Sequence, residues 1–270
     1  MAQRSRWFQG ALTMVDGIFD SHAHYDDDAF DADRDGLLRS LASHGVRRVM
    51  NVGSSMESSR TGIQLGKEYD FLYSSVGVHP DSAREISDET LRELAELARE
   101  PKVRALGEIG LDYHYEDNCP REIQIPAFER QLALAKELDM PVIIHTREAV
   151  NDTLALLKKY QPRGIVHCFS GSVEMAKEVL KLGMYIGFTG VLTFKNARKA
   201  VEVVQYAPAD RLLIETDCPY MAPEPLRGRR CDSTMLQYTL ARMAELKGLT
   251  PEEMAAITWK NACTVYGLPE

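Results

Sequence analysis

The sequence predicts a single α/β domain folded as a (β/α)8 barrel of the TIM type, with extra helices at its C-terminal end. Two observations predict it. Short apolar runs of strand length recur eight times, each followed by turn chemistry and then by a stretch of helical periodicity. Five of the seven histidines, with Glu108 and Asp217, fall at the C-terminal ends of those runs, where a parallel barrel gathers its active site. At 270 residues and 44% apolar the chain can bury one full core, and no linker, repeat or low-complexity segment divides it. An open doubly wound sheet is the competing architecture, weakened by the lack of a glycine-rich phosphate loop after any strand.

Residues 1–14 read as an N-terminal leader, extended or disordered, basic but too short in apolar length for a secretory signal; the barrel takes 15–270. The first strand, 18–19, leads into Asp20-Ser21-His22-Ala23-His24. Side chains two apart in an extended segment share a side, so His22 and His24 project together and can hold one metal ion. The second run, 48–53, follows an amphipathic segment over 35–44, and the third, 71–78, ends at His79-Pro80. Ser87-Asp88 offers N-cap oxygens to a helix whose Leu91, Leu94 and Leu97 share a face. Run four, 103–107, ends at Glu108, and a helix over 125–138 precedes run five, 140–144, which ends at His145. Run six, 164–166, ends at His167, before a helix over 173–182 stopped by Gly183. Run seven, 184–188, reaches Thr189-Gly190, and run eight, 212–214, ends at Glu215-Thr216-Asp217. Two helices follow. Thr250-Pro251-Glu252-Glu253 starts the last one as a capping box, with Trp259 and Tyr266 expected to pack it on the barrel wall.

Composition narrows the function. Five cysteines without zinc-finger spacing read as reduced thiols of a cytoplasmic protein. No run of about 18 apolar residues suggests a membrane helix, and nothing points to a protein partner. A net charge of −8 argues against wide, sequence-independent wrapping of nucleic acid. It leaves room for a phosphodiester entering a cleft whose metal ions supply the positive charge. Histidine nitrogens with carboxylate oxygens suit divalent zinc, manganese, iron or magnesium. Two such ions about 3.5–4 Å apart would use one histidine pair each with a carboxylate between them, and Glu108, midway in strand order, is the expected bridge.

Seven motifs run in order along the chain: FDSHAH at 19–24, GVHP at 77–80, GEIGLDY at 107–113, IIHTRE at 143–148, HCFSG at 167–171, GFTGVLTFKNA at 187–197 and ETDCPYMAP at 215–223. With them the chain, from 15 to 268, resembles the TatD-like metal-dependent hydrolases, a branch of the amidohydrolase superfamily. The resemblance implies a TIM-type barrel, hydrolysis of an ester (typically the phosphodiester bonds of DNA), and two divalent metal ions, Mg, Mn or Zn. It implies His22, His24 and Asp217 as ligands of a first ion, His145 and His167 of a second, Glu108 as the bridging carboxylate, and His79 beside the substrate phosphate. Cys231 stands where the family usually has asparagine, and Phe188-Thr189 departs from its glycine-rich motif.

The expected chemistry is attack by a hydroxide formed on the metal ions, with Asp217 taking the proton and later returning it to the leaving oxygen. Arg147, Lys195 and Arg229 are the candidate phosphate contacts, with Arg227 and Arg230 nearby. The expected function is a divalent-metal-dependent deoxyribonuclease of the 3'-end exonuclease type, acting on single-stranded ends or short oligonucleotides. A small-molecule amidohydrolase, a deacetylase or lactonase, is the alternative on the same metal site. Superfamily relatives with a carbamylated lysine place it at the end of strand four, where this chain has Glu108. Cys168 and Cys218 adjoin candidate ligands but alternate away from them, His114 reads as a surface histidine, and Asp26 to Asp28 as a solvated loop.

Overall fold

The computed structural model describes residues 14–270, so the leader expected over 1–14 lies, apart from Met14, outside the described residues. Eight strands form one sheet in chain order, every neighbouring pair parallel: β1 (Ile18–Ala23), β2 (Val46–Asn51), β3 (Leu72–Val76), β4 (Val103–Asp112), β5 (Val142–Arg147), β6 (Gly164–Val166), β7 (Tyr185–Phe188) and β8 (Leu212–Ile214). Seven helices make the crossovers: α1 (Arg34–Ser40), α2 (Met56–Glu68), α3 (Asp88–Leu97), α4 (Arg121–Glu137), α5 (Val150–Tyr160), α6 (Val173–Lys181) and α7 (Arg198–Tyr206). Then α8 (Leu236–Lys247) and α9 (Pro251–Tyr266) complete the chain. Polar bonds close the seam between β8 and β1. The Asp217 amide donates to the His22 carbonyl, the His24 amide to Cys218, both at 2.9 Å, and the Ser21 hydroxyl to Ile214 at 3.0 Å. The (β/α)8 barrel is therefore as expected.

The two-residue period of a strand divides the apolar residues between two cores. Outward residues such as Val49, Val76, Leu106, Ile144, Val166, Ile186 and Ile214 pack beneath the helices. Each strand also supplies one residue to an inner layer: Phe19, Met50, Tyr73, Ala105, Ile143, Ile165, Tyr185 and Leu213. The last helix packs Ala262, Cys263 and Tyr266 on that layer, with the Trp259 and Tyr266 rings each 5.9 Å from Phe19. Trp259 and Tyr266 thus do not seat α9 on the outer wall, as expected from sequence. They stopper the end of the barrel away from the strand C-termini. Covering each inner side chain there is worth about 1.5–3 kcal/mol, and periodicity cannot tell an inner apolar face from an outer one.

Strand β4 is twice the expected length, running through Glu108 to Asp112 instead of ending at Gly107. The glycine inside the continued strand serves a close approach: a Cβ on Gly110 would lie 1.9 Å from the His145 carbonyl oxygen of β5. The amphipathic segment over 35–44 is split, α1 giving way to a tight 3-10 turn over Leu41–His44. Predicted caps form at Ser87 and at Thr250, where the capping box is complete.

Candidate metal centre

The strand ends deliver the candidate ligands to one mouth. His22 and His24 come from β1, Glu108 and Asp112 from β4, His145 from β5, His167 from just past β6, and Asp217 from the turn after β8. His79 stands after β3. The His22 and His167 rings, 145 residues apart in sequence, stack at 3.9 Å between centroids. Beneath them Asp20 is wholly buried and accepts from the Thr216 amide (3.0 Å) and from the Thr216 and Ser233 hydroxyls (2.7 and 2.6 Å), bracing β1 against β8. Burial raises its carboxyl to about 6.

The ligand atoms form two groups that share Glu108. His24 donates from Nδ1 to the Val52 carbonyl at 2.9 Å, which leaves Nε2 as the atom facing inward. That nitrogen lies 3.0 Å from His22 Nε2 and 3.5 Å from both Glu108 Oε2 and Asp217 Oδ1. His22 Nε2 is 3.5 Å from the same Glu108 oxygen and 3.6 Å from Asp217 Oδ1. In the second group His145 donates from Nε2 to Asp112 Oδ2 at 3.1 Å, which turns its Nδ1 toward Glu108 Oε1 (2.9 Å) and His167 Nε2 (3.2 Å). His167 Nε2 is 2.7 Å from Glu108 Oε1.

These donors fit divalent cations. Ligands about 2.1 Å from a tetrahedral ion stand about 3.4 Å from one another, close to the spacing of the first group. Imidazole nitrogens and carboxylate oxygens that converge from separate strands to between 2.7 and 3.6 Å are the donor set that a divalent cation takes. The buried Nδ1 atoms of His22 and His167 meet no hydrogen-bond partner among the described residues, Glu215 Oε1 standing 3.8 Å from that of His167, and ligation through Nε2 would fix both rings. Burial favours the neutral acid at Glu108, but His167, His145 and His22 outweigh it and hold the carboxyl well below the usual carboxylate range. Burial also opposes charge on His24 and His145, yet Asp217 with Glu108, and Asp112 with Glu108, pull these rings up to about 10 and about 9. His22 goes the other way, to about 4, through burial and the neighbouring His167.

The mouth opens into a cleft of about 970 Å³. Arg147 lines it, stacked on Tyr115 and donating to its hydroxyl at 3.0 Å, and pairs with no acid among the described residues. His79 also lines it, its Nε2 3.8 Å from Glu108 Oε1. The phosphate-contact candidates Lys195 and Arg229 are exposed and are not among the residues that line the cleft. Arg230 is bound to Asp33, and Arg227 lies over the Phe194 ring. Lys199, at the start of α7, lines the cleft instead. Nor is Asp26 to Asp28 a freely solvated loop, since Asp26 accepts from Asn51 and Ser58 and Asp27 caps a 3-10 turn. Cys231 is buried, its amide donating to the Pro219 carbonyl. Asp112 was not singled out from sequence, although its place four residues after Glu108 on one strand puts both on one side, a signal available once β4 is known to continue. Glu215 is a further buried acid, raised well above its ordinary value by burial, and Gly187 leaves it room: a Cβ there would lie 2.3 Å from Glu215 Oε2.

Comparison with known proteins agrees with this geometry. A family model described as TatD related DNase matches residues 19–267. The metal-dependent hydrolase YabD of Bacillus subtilis is 43% identical over 252 residues, covering 92% of this chain and 98% of its own. A Citrobacter koseri protein named 3'-5' ssDNA/RNA exonuclease TatD is 36% identical, covering 93% and 99%. Among solved structures, YjjV of Escherichia coli, a TatD homologue, superposes with a TM-score of 0.87 at 32% identity, over 93% of this chain and 98% of that one. With its eight-stranded barrel and its paired histidines around a shared glutamate, the chain belongs to the TatD family of metal-dependent hydrolases.

Proposed function

We propose that the enzyme hydrolyses phosphodiester bonds at the 3' ends of single-stranded nucleic acid, using two divalent cations of the Mg, Mn or Zn type. One observation carries the two-ion reading: the oxygens of Glu108 face different histidine pairs, Oε1 toward His145 and His167, Oε2 toward His22 and His24. The substrate class rests on the relative named as a single-strand exonuclease and on the cleft. Its basic residues, Arg147, Arg198 and Lys199, are too few to hold a duplex along its backbone. Five unpaired cysteines, four of them buried, favour a reducing compartment such as the cytoplasm.

His22, His24 and Asp217 would hold one cation, His145 and His167 the other, with Glu108 between. Bound there, the ions supply Lewis acidity at the phosphoryl oxygens and a water of lowered pKa. Asp217 is the base. Burial works against its charge, but His24, His22 and His167 outweigh it and hold the carboxyl below its ordinary value, so it stays ionised and ready to accept a proton. Asp217 sits at φ 57 in a left-handed turn after β8, which points its side chain into the mouth. The same carboxyl returns the proton to the leaving oxygen, while His79 and Arg147 orient the phosphate from the β3 and β5 side.

The experiment is cleavage of 3'- and 5'-end-labelled single-stranded oligonucleotides with Mg²⁺, Mn²⁺ and Zn²⁺, run beside acyl amides and lactones. The expected result is shortening from the 3' end, lost in His145→Ala and in Glu108→Ala while the circular dichroism is kept. Turnover of amides alone would replace the nuclease reading with the amidohydrolase one.

A further inference from the structure

Among the described residues six large apolar or aromatic side chains are exposed, and three of them, Tyr115, Tyr220 and Met221, line the catalytic cleft. Tyr115 follows β4 and Tyr220 follows β8. These strands are half a turn apart in an eight-stranded ring, so the two phenols stand on opposite rims with the histidines and carboxylates between them. Their exposure is 52% and 57%. Each is nevertheless anchored. Arg147 lies 4.8 Å from the Tyr115 ring centre and bonds its hydroxyl, and His114 packs edge-on at 4.7 Å. The Tyr220 hydroxyl donates to Asp27 Oδ2 at 3.3 Å. A ring fixed through its hydroxyl and open across much of its surface is suited to receive a flat ligand.

The charges of the cleft indicate what kind of ligand. Asp26, Asp27 and Asp81 line it beside the carboxylates of the metal cluster. Against them stand Arg147, Lys199 and Arg198, the last bound to Glu202 at 2.9 Å. A polyanion beyond the scissile phosphate finds little positive charge here, so backbone contacts cannot hold the flanking nucleotides. Their bases can be held, because every base offers a π face and stacks on an aromatic ring with little regard to sequence.

We infer that Tyr115 and Tyr220 are stacking platforms for nucleobases on either side of the scissile phosphodiester, and that they select single strands. This rests on the phosphodiesterase reading above. In a duplex the bases are already stacked and paired, so reaching the rings requires unpairing them; in a single strand the bases turn outward freely.

The test is steady-state cleavage of a single-stranded oligonucleotide and of matched oligonucleotides with abasic residues flanking the scissile bond. Wild type, Tyr115→Ala, Tyr220→Ala and the two phenylalanine variants are compared. On the intact strand each alanine variant should raise KM roughly 5- to 150-fold with kcat little changed, and the phenylalanine variants, which keep the ring and lose only its anchoring bond, should lose much less. On the abasic strands wild type should itself lose a comparable factor, and the alanine substitution should cost nothing more, since ring and base have lost the same contact. Alanine variants with wild-type KM on the intact strand would overturn the inference, as would a loss of equal size on intact and abasic strands. Wild-type protein that cleaves no oligonucleotide with any of the cations would instead overturn the phosphodiesterase reading on which the inference stands.

Discussion

Asp112 shows how a group that need not touch a cation can set the behaviour of one that would. Its Oδ2 accepts from His145 Nε2, and its Oδ1 accepts from the His114 amide at 2.8 Å, so the carboxylate is itself held in place. Gln124 completes the support by accepting from the Asp112 amide and donating to its carbonyl, at 2.8 and 2.7 Å. Fixing the proton on Nε2 leaves Nδ1 as the donor atom, and such outer partners are typically worth 10- to 100-fold in metal affinity. Asp112→Asn should therefore weaken cation binding by about that factor, and His24, which uses the Val52 carbonyl instead, should be unaffected. Calorimetric titration of the metal-free protein with Mn²⁺ measures it; a loss of one of two binding events, with the other unchanged, is the expected signature.

Among the elements, the outer ring of helices is joined by exposed ion pairs as well as by its apolar faces. Glu178 of α6 lies 2.7 Å from both Lys158 of α5 and Lys181 of its own helix. The two ammonium groups hold its carboxyl down to about 2, from an ordinary 4.5. A carboxyl held low in the folded state stabilises the fold fully above about pH 4.5, and that contribution disappears as the pH falls through 2. Urea denaturation of wild type and Glu178→Gln should differ at pH 6, and the difference should shrink toward pH 2.5. Because the group is exposed, salt should shrink it too. The lengths of the elements were less legible than their existence. Run four reads as ending at Gly107, whereas the strand continues to Asp112, and Gly110 lets the His145 carbonyl of β5 approach more closely than any side chain would allow.

For the whole molecule, the candidate ligands tie together five strands that are distant in sequence, β1, β4, β5, β6 and β8. Cations that bind this arrangement and not the unfolded chain stabilise the fold by mass action, about 2.7 kcal/mol for one site at a concentration of 100 Kd. For a domain near this size that is a rise in Tm of roughly 5–11 °C. Adding EDTA to metal-loaded protein should lower the Tm by that order, and Glu108→Gln should remove most of the response, since Glu108 serves both groups.

The barrel, and the gathering of the candidate ligands at one mouth, could be read from the linear order of residues because both are written in local rules. Strand length and helical periodicity are properties of a few consecutive positions, and a parallel barrel gathers every strand's C-terminal end at one mouth, so an acid or imidazole after an apolar run is already placed. Folding alone decided which cations face the cleft and what α9 covers. Lys195 and Tyr220 both sit inside motifs, yet only Tyr220 lines the cleft, and Arg229 stays out of a lining that Lys199 and Tyr115 enter from outside any motif. The same holds for Trp259 and Tyr266, whose apolar spacing suits an outer wall and an inner plug equally. Side-chain direction in a loop depends on contacts made across the barrel, and those contacts join residues whose spacing along the chain carries no record of them.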